Sequence, residues 1–336
     1  MREWYTYENE IRAYSGSDED VTIPRNINKH DLYIINDFAF SPVKKNIKPD
    51  VRQRRLNIKR VEVSEGYSQI RESAFDGCQS LQSIKIPKSV KYIGSRAFAN
   101  TGLTEIFIPN ATELGNEICE ECVNLARVEI GGNIKELGGS LFEFCENLKE
   151  VTIPPTLMAI PPAFVRGCPN LTRFNIPPDV EVIDVYAFDG CGFEEIIIPA
   201  KVTHIGAAAF KNCRMLKKIV FEGNSVVSIG QWAFSGCEAL EELVLPDSIR
   251  RIEGDLFTEC KNLKKVTFPS EVYEINPNSF IGADKLEHIV VKGKNTKIVQ
   301  RGDKTFTPPN DFCVVGPRGS FAESYAKELG ITFEAF

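Results

Sequence analysis

Ten cysteines are the residues of this 336-residue chain most able to do chemistry. Cys119 and Cys122 have the C-x-x-C spacing of half a zinc site or of a redox pair. No second C-x-x-C and no neighbouring pair of histidines accompanies them. Most of the cysteines instead follow one another at steps of 22 to 24 residues, at positions 78, 119, 122, 145, 168, 191, 213, 237, 260 and 313. Because this step is typical of a repeat and not of a ligand set, we predict small buried side chains and no metal site.

The sequence also lacks the motifs of the common catalytic sites. The three histidines, His30, His204 and His288, are far apart along the chain. The chain contains no G-x-S-x-G, H-E-x-x-H or G-x-G-x-x-G motif and no P-loop lysine motif. Nothing therefore groups a nucleophile with a base and an orienting residue, and we predict a protein that is not an enzyme and uses no cofactor.

The composition excludes some classes of binding partner but does not decide the cellular compartment. A formal net charge of -6 argues against general binding of nucleic acid. No apolar run approaches the roughly 20 residues that a membrane-spanning helix needs. The start, "MREWYTYENE", lacks the basic head and apolar core of a signal peptide, which favours the cytoplasm if the chain is complete.

The cysteines belong to a unit of about 23 residues that recurs along the chain, as in "AFDGCQSLQSIKI", "AFKNCRMLKKIVF" and "AFSGCEALEELVL". Each unit has a phenylalanine, then a cysteine, a leucine and an alternating I-x-I segment that often ends in proline. The phenylalanines are at positions 75, 98, 142, 164, 188, 210, 234, 257 and 280, and Cys119 takes the vacant place. One short strand cannot bury its own apolar face, whereas stacked copies can. The pattern predicts a repeat solenoid of about eleven rungs, mostly strand with short turns or 3-10 segments.

The pattern L-x-x-I-x-I-P followed by V-x-x-I-G-x-x-A-F-x-x-C resembles the BspA-like leucine-rich repeat, and the resemblance covers roughly residues 5–336. It implies one leucine-rich-repeat domain over 1–336, with an N-terminal cap at 1–20, repeats at 21–292 and a C-terminal cap at 293–336. A helix in the C-terminal cap is predicted from Ser320 and Glu323, a capping box, to Gly330, with Phe321, Tyr325 and Leu329 covering the last rung. The family's implied function is that of surface-exposed bacterial proteins, often adhesins that bind host matrix proteins.

The outward positions of the strands show two patterns. From Glu105 to Lys265 the second outward position alternates in charge at every unit, which we interpret as a ladder that fixes the register. The third outward position becomes apolar toward the C-terminus and predicts an outward stripe that is a candidate contact surface, comprising Phe107, Ile197, Val220, Val244 and Val290. The alternative is that β-branched residues simply suit strands.

Two further segments are candidates for binding. A basic insertion at 41–55 interrupts the repeat and can dock an anionic glycan or headgroup, with its charges on Lys44, Lys45, Lys48, Arg52, Arg54 and Arg55. The alternative is a solvated loop between rungs. Arg301, Gly302 and Asp303 form the tripeptide that integrins bind on exposed loops, although three residues also occur together by chance.

Together these features predict a module that binds a protein or a glycan, in the adhesin form that the resemblance implies. The partner is expected to be a host matrix or other cell-surface protein or a glycan, with no nucleic acid. The alternative is a structural protein that assembles with itself through the solenoid face or ends. The protein is expected to be a monomer or to self-associate weakly.

Overall fold

A computed structural model of the protein describes residues 3–27, 29–301 and 305–336. Its contacts divide the chain into two compact units. The first comprises Met1–Leu157 with Pro161–Leu171, and the second comprises Met158–Ile160 with Thr172–Phe336. Both units consist of repeating turns that carry short strands, and the organisation as one domain stays a prediction.

The first unit contains fourteen strands and one helix among its described residues. In chain order they are β1 (Trp4–Tyr7), β2 (Glu10–Tyr14), β3 (Asp20–Ile23), β4 (Asn26–Ile27), β5 (His30–Asp31), β6 (Ile34–Ile35), α1 (Pro49–Leu56), β7 (Arg60–Val63), β8 (Gln69–Ile70), β9 (Ser83–Lys85), β10 (Tyr92–Ile93), β11 (Glu105–Ile108), β12 (Glu113–Leu114), β13 (Arg127–Ile130) and β14 (Glu150–Thr152). The antiparallel pair β1–β2 begins the unit, and β2, β6, β8, β10 and β12 then stack in parallel. The longer strands form the parallel sheets β3–β7–β9 and β11–β13–β14.

The second unit continues the same pattern. Its elements are β15 (Ala159–Ile160), β16 (Val182–Ile183), β17 (Glu195–Ile198), β18 (His204–Ile205), β19 (Lys218–Phe221), β20 (Ser228–Ile229), β21 (Glu242–Val244), β22 (Arg251–Ile252), β23 (Lys265–Phe268), β24 (Glu274–Ile275), a 3-10 helix (Pro277–Phe280), β25 (His288–Val291), β26 (Lys297–Ile298), β27 (Cys313–Gly316), α2 (Phe321–Leu329) and β28 (Thr332–Ala335). The short strands stack as β15–β16–β18–β20–β22 and β24–β26. The longer strands stack as β17–β19 and β21–β23–β25–β27–β28.

The fold is the predicted leucine-rich-repeat β-solenoid, with about 14 turns. This number exceeds the expected eleven because segments assigned to the caps also contribute strands in register, such as β27 and β28. The inward side of each strand is apolar, as the period-two pattern predicts: on β11, Ile106 and Ile108 are buried while Glu105 and Phe107 are exposed. One predicted strand is absent from the described residues, since "LTRFNIP" at 171–177 has no regular secondary structure.

The repeated phenylalanines stack in a column inside the second unit. The rings of Phe188, Phe210, Phe234, Phe257 and Phe280 follow one another with centroids 5.3–6.1 Å apart and planes within 21° of parallel. One alignment was wrong: the backbone bond from Phe142 N–H to the Phe164 carbonyl places Val165, and not Phe164, in register with Phe142. The Phe164 ring consequently meets Phe142 edge to face, at 5.8 Å and 77°.

The repeat cysteines are buried, and the described residues contain no disulfide. Their thiols have a regular polar partner as well as an apolar environment. Cys213, Cys237 and Cys260 donate to the backbone carbonyls of Phe188, Phe210 and Phe234 in the preceding turn, at sulfur–oxygen distances of 3.1–3.3 Å. A cysteine at this place therefore fills a small space and links two successive turns, which supports its structural interpretation.

The C-terminal helix α2 begins and ends as predicted. The Ser320 hydroxyl accepts from the Glu323 backbone N–H at 3.2 Å, and Gly330 has a left-handed φ of 65°. The predicted covering face was wrong for Phe321 and Leu329, which are exposed, whereas Tyr325 is half-buried. The buried residues of the helix are Ala322 and Ala326. Small side chains there allow the helix to lie close to β27.

Candidate binding surface

The charged positions of the strand face form ion pairs between successive turns. In the second unit, Lys217 and Lys218 on one turn contact Glu194 and Glu195 on the preceding turn, at 3.1 and 2.7 Å. Lys264 contacts Glu241 in the same way at 2.7 Å. In the first unit Arg127 pairs with Glu105. The alternating charges thus neutralise one another locally, as the ladder interpretation predicts, and each pair is exposed enough to contribute little to stability.

Beside these charges lies an apolar row on the outward strand positions of the second unit, formed by Ile197, Val220, Val244, Val290 and Val315. The polar and buried Thr267 interrupts it between Val244 and Val290. The register aligns Ile197 with Val220, and Val244 with Thr267, Val290 and Val315 in succession. Ile197 is 47% exposed and Val244 is 62% exposed. Ile197 and Val220 therefore lie in one sheet, and Val244, Val290 and Val315 lie in another. Val220, Val290 and Val315 are half-buried. The role of these residues as a contact surface stays a prediction.

Phe107 does not belong to this row. It is 50% exposed on β11 in the first unit, where its partner in register is Glu129. A charged neighbour interrupts any apolar surface that Phe107 begins. The outward stripe is accordingly confined to the second unit.

A surface cleft of about 690 Å³ adjoins the apolar row, and the sequence pattern does not reveal it. It forms where residues 171–177 leave the strand conformation, and it is lined by residues that include Arg173, Phe174, Glu194 and Ile197. Phe174 takes the inward place that isoleucine or valine occupies in other units, and its ring packs on Phe188 at 5.3 Å. Ile197 belongs to both the cleft and the row, so the two features form one continuous surface.

The basic insertion is more ordered than a solvated loop, because its second half is helix α1. Arg55 is 2% exposed and donates to the backbone carbonyls of Tyr14, Phe38 and Ser41 at 2.9, 3.2 and 2.7 Å. Arg54 donates to the Ser15 carbonyl at 3.0 Å and Lys44 is half-buried. Three of the six predicted cations are exposed, namely Lys45, Lys48 and Arg52.

Of the integrin-type tripeptide, only Arg301 lies within the described residues; Gly302 and Asp303 lie outside them. The Arg301 guanidinium forms a bidentate pair with the Glu274 carboxylate, with nitrogen–oxygen distances of 2.6 and 2.9 Å. This pair raises the pKa of Arg301 and lowers that of Glu274. The Arg301 guanidinium therefore already binds a carboxylate of its own unit.

The fold defines a leucine-rich-repeat solenoid. The chain matches the sequence profile of the "BspA type Leucine rich repeat region" in six copies, over residues 13–116, 68–194 and 181–307. It belongs to the BspA-type leucine-rich repeat family. This family generally comprises non-enzymatic binding modules.

Two bacterial proteins are among the solved structures with similar folds. A leucine-rich-repeat protein from Eubacterium ventriosum is 21% identical, with 88% of this chain and 95% of that chain covered and a TM-score of 0.51. A leucine-rich cell surface protein from Faecalibacterium prausnitzii is 24% identical, with coverages of 84% and 90% and a TM-score of 0.47. Comparison with curated proteins gives no match. Within the described ranges, no helix is long and apolar enough to cross a membrane.

Proposed function

We propose that the protein is a non-enzymatic module that binds another protein through the strand face of its second unit. The apolar row, continued into the cleft through Ile197, carries this proposal, since exposed apolar side chains such as Ile197 and Val244, grouped on a folded protein, mark contact sites. The surrounding Lys–Glu pairs neutralise one another and leave the apolar side chains as the principal source of affinity. Adhesion of a bacterial surface to host matrix proteins is the form of this function that the family resemblance favours.

The test is saturable binding to a panel of immobilised matrix proteins and glycans, at low and high salt. We expect a protein ligand whose binding is insensitive to salt and is lost in the triple variant Ile197→Lys, Val220→Lys, Val244→Lys. The matched control replaces three other exposed apolar residues of the same unit, in Val227→Lys, Met215→Lys, Tyr273→Lys. Intact binding in the first variant, or equal loss in both, argues against the row.

Two other binding modes are distinguished by the salt dependence of glycan binding and by light scattering. Glycan binding that weakens with salt and is lost in Lys45→Ala, Lys48→Ala, Arg52→Ala points to the basic insertion instead. Self-assembly through the apolar row predicts light scattering that rises with protein concentration and is suppressed by the triple lysine variant. The row favours this second function because an exposed apolar strand face can also pack against a copy of itself.

A further inference from the structure

Three side chains with metal-binding atoms meet on the last strands of the second unit. His288 lies on β25, Cys313 on β27 and Glu334 on β28, which are neighbours in one parallel sheet. His288 and Cys313 are partners in register, and Glu334 lies two residues beyond Thr332, the partner of Cys313. The imidazole nitrogen, the thiol sulfur and a carboxylate oxygen all lie within 4.8 Å of one another.

Cys313 differs from the other nine cysteines in its place in the repeat. Those nine occupy the inner positions of the turns, whereas Cys313 occupies the outward strand position that Lys218 and Lys265 hold in other turns. It is nevertheless only 4% exposed. A thiol on the outward face, screened from solvent and adjacent to an imidazole, is not required by the packing that explains the inner cysteines.

The three groups match the preferences of zinc. Zn²⁺ binds thiolate at about 2.3 Å, imidazole at about 2.0 Å and carboxylate at about 2.1 Å, so ligand atoms of a tetrahedral site are roughly 3.5 Å apart. Side-chain rotations of His288 and Glu334 can bring the ligand atoms from separations of up to 4.8 Å to that spacing, because these two side chains are partly or fully exposed. Burial and the Glu334 carboxylate raise the pKa of the Cys313 thiol, and a bound divalent cation reverses that effect.

We propose that His288, Cys313 and Glu334 form a zinc site with three protein ligands and one open position. The ion would link β25, β27 and β28, of which β27 and β28 contact α2, and would stabilise the C-terminal turns. Lys265 is the in-register neighbour of His288 on its other side, but it is exposed and in register with Glu242, which offsets its charge. The sequence shows no motif for this site, because its ligands are 21 to 25 residues apart, near the repeat period itself.

The test is a Co²⁺ titration of the full chain, reduced and stripped of metal. We expect a thiolate-to-cobalt charge-transfer band at one equivalent, displaced by Zn²⁺ and absent from Cys313→Ser. In His288→Ala and in Glu334→Gln, we expect the apparent affinity for Co²⁺, measured from this band, to fall at least tenfold. His204→Ala, which removes another exposed histidine of the same unit, serves as the matched control and should titrate like the unaltered protein.

Thermal unfolding provides a second readout and checks that the variants fold. Zn²⁺ is expected to raise the unfolding midpoint of the unaltered protein and of His204→Ala, since a ligand that binds only the folded state stabilises it. Cys313→Ser should show an unfolding transition that Zn²⁺ does not move. Absence of the cobalt band from the unaltered protein, or its persistence in a folded Cys313→Ser variant, overturns the proposal.

Discussion

Arg55 provides a sharp test of whether the basic insertion is structural. Its guanidinium is buried and donates to three backbone carbonyls, of Tyr14, Phe38 and Ser41. Among these acceptors, Tyr14 and Ser41 lie in the buried part of the first unit. Replacing Arg55 by methionine retains much of the apolar stem and removes all three bonds.

The expected cost follows from two opposing effects. Each hydrogen bond from a charged group contributes roughly 1.5–3 kcal/mol, so the two buried bonds together contribute about 4 kcal/mol. Burial lowers the pKa of Arg55 to about 10, which corresponds to a desolvation cost of about 3 kcal/mol that methionine avoids. We therefore expect Arg55→Met to lower the free energy of unfolding by only about 1–2 kcal/mol. Arg55→Lys retains a buried charge and cannot form all three bonds, so it should be the more damaging variant.

The chain permits a local assay of this effect. Its two tryptophans are Trp4 in the first unit and Trp232 in the second, and the Trp4 ring lies 4.7 Å from that of Tyr14. In a Trp232→Phe background, tryptophan fluorescence during urea unfolding reports on the region that Arg55 binds. Arg52→Met, an exposed change on the same helix, is the control and should stay within about 0.5 kcal/mol. A lysine variant milder than the methionine variant, or an Arg55→Met variant indistinguishable from Arg52→Met, refutes this reasoning.

Two further outcomes test the core of the repeat. Phe234→Ala, within the ring column of the second unit, should lower the free energy of unfolding by about 3–5 kcal/mol in the same urea assay. Phe321→Ala, on the exposed side of α2, is the control and should change it by less than about 1 kcal/mol. Burial raises the pKa of inner thiols such as Cys260 to about 12, so these thiols should not react with Ellman's reagent at pH 8 until denaturant is added; rapid reaction of the folded protein would contradict their structural role.

The repeat made much of the fold predictable, because its period and its inward pattern are local properties of the sequence. The inward isoleucines, the ion pairs between turns and the ends of α2 are confirmed on this basis. The displacement of Phe164 was not predictable, since phenylalanine suits both its expected place and the neighbouring one, and only the hydrogen bonds decide between them. The covering face of α2 was wrong at Phe321 and Leu329, because the prediction favoured large apolar residues for burial, whereas Ala322 and Ala326 let the helix approach the sheet.

The candidate sites were less predictable because they depend on contacts between distant residues. Arg55 bonds to residues 14 to 41 positions earlier, and no local pattern distinguishes it from the exposed Arg52. The cleft beside Ile197 arises where a repeat unit departs from the strand conformation, although its sequence follows the repeat. In both cases the departure from the repeated geometry, and not the repeat itself, creates the feature.

The apolar row has a competing explanation, namely that β-branched residues simply suit strands. Thr267 separates the two explanations, since it occupies the same row with a polar β-branched side chain. We therefore expect Ile197→Thr, Val244→Thr to retain the strands and the unfolding midpoint, because both positions are exposed and threonine favours strands. If the row contacts a partner, the same variant should weaken binding of the matrix-protein ligand at least tenfold. Unchanged affinity together with unchanged stability would assign these side chains to strand propensity alone and remove the row from the proposed function.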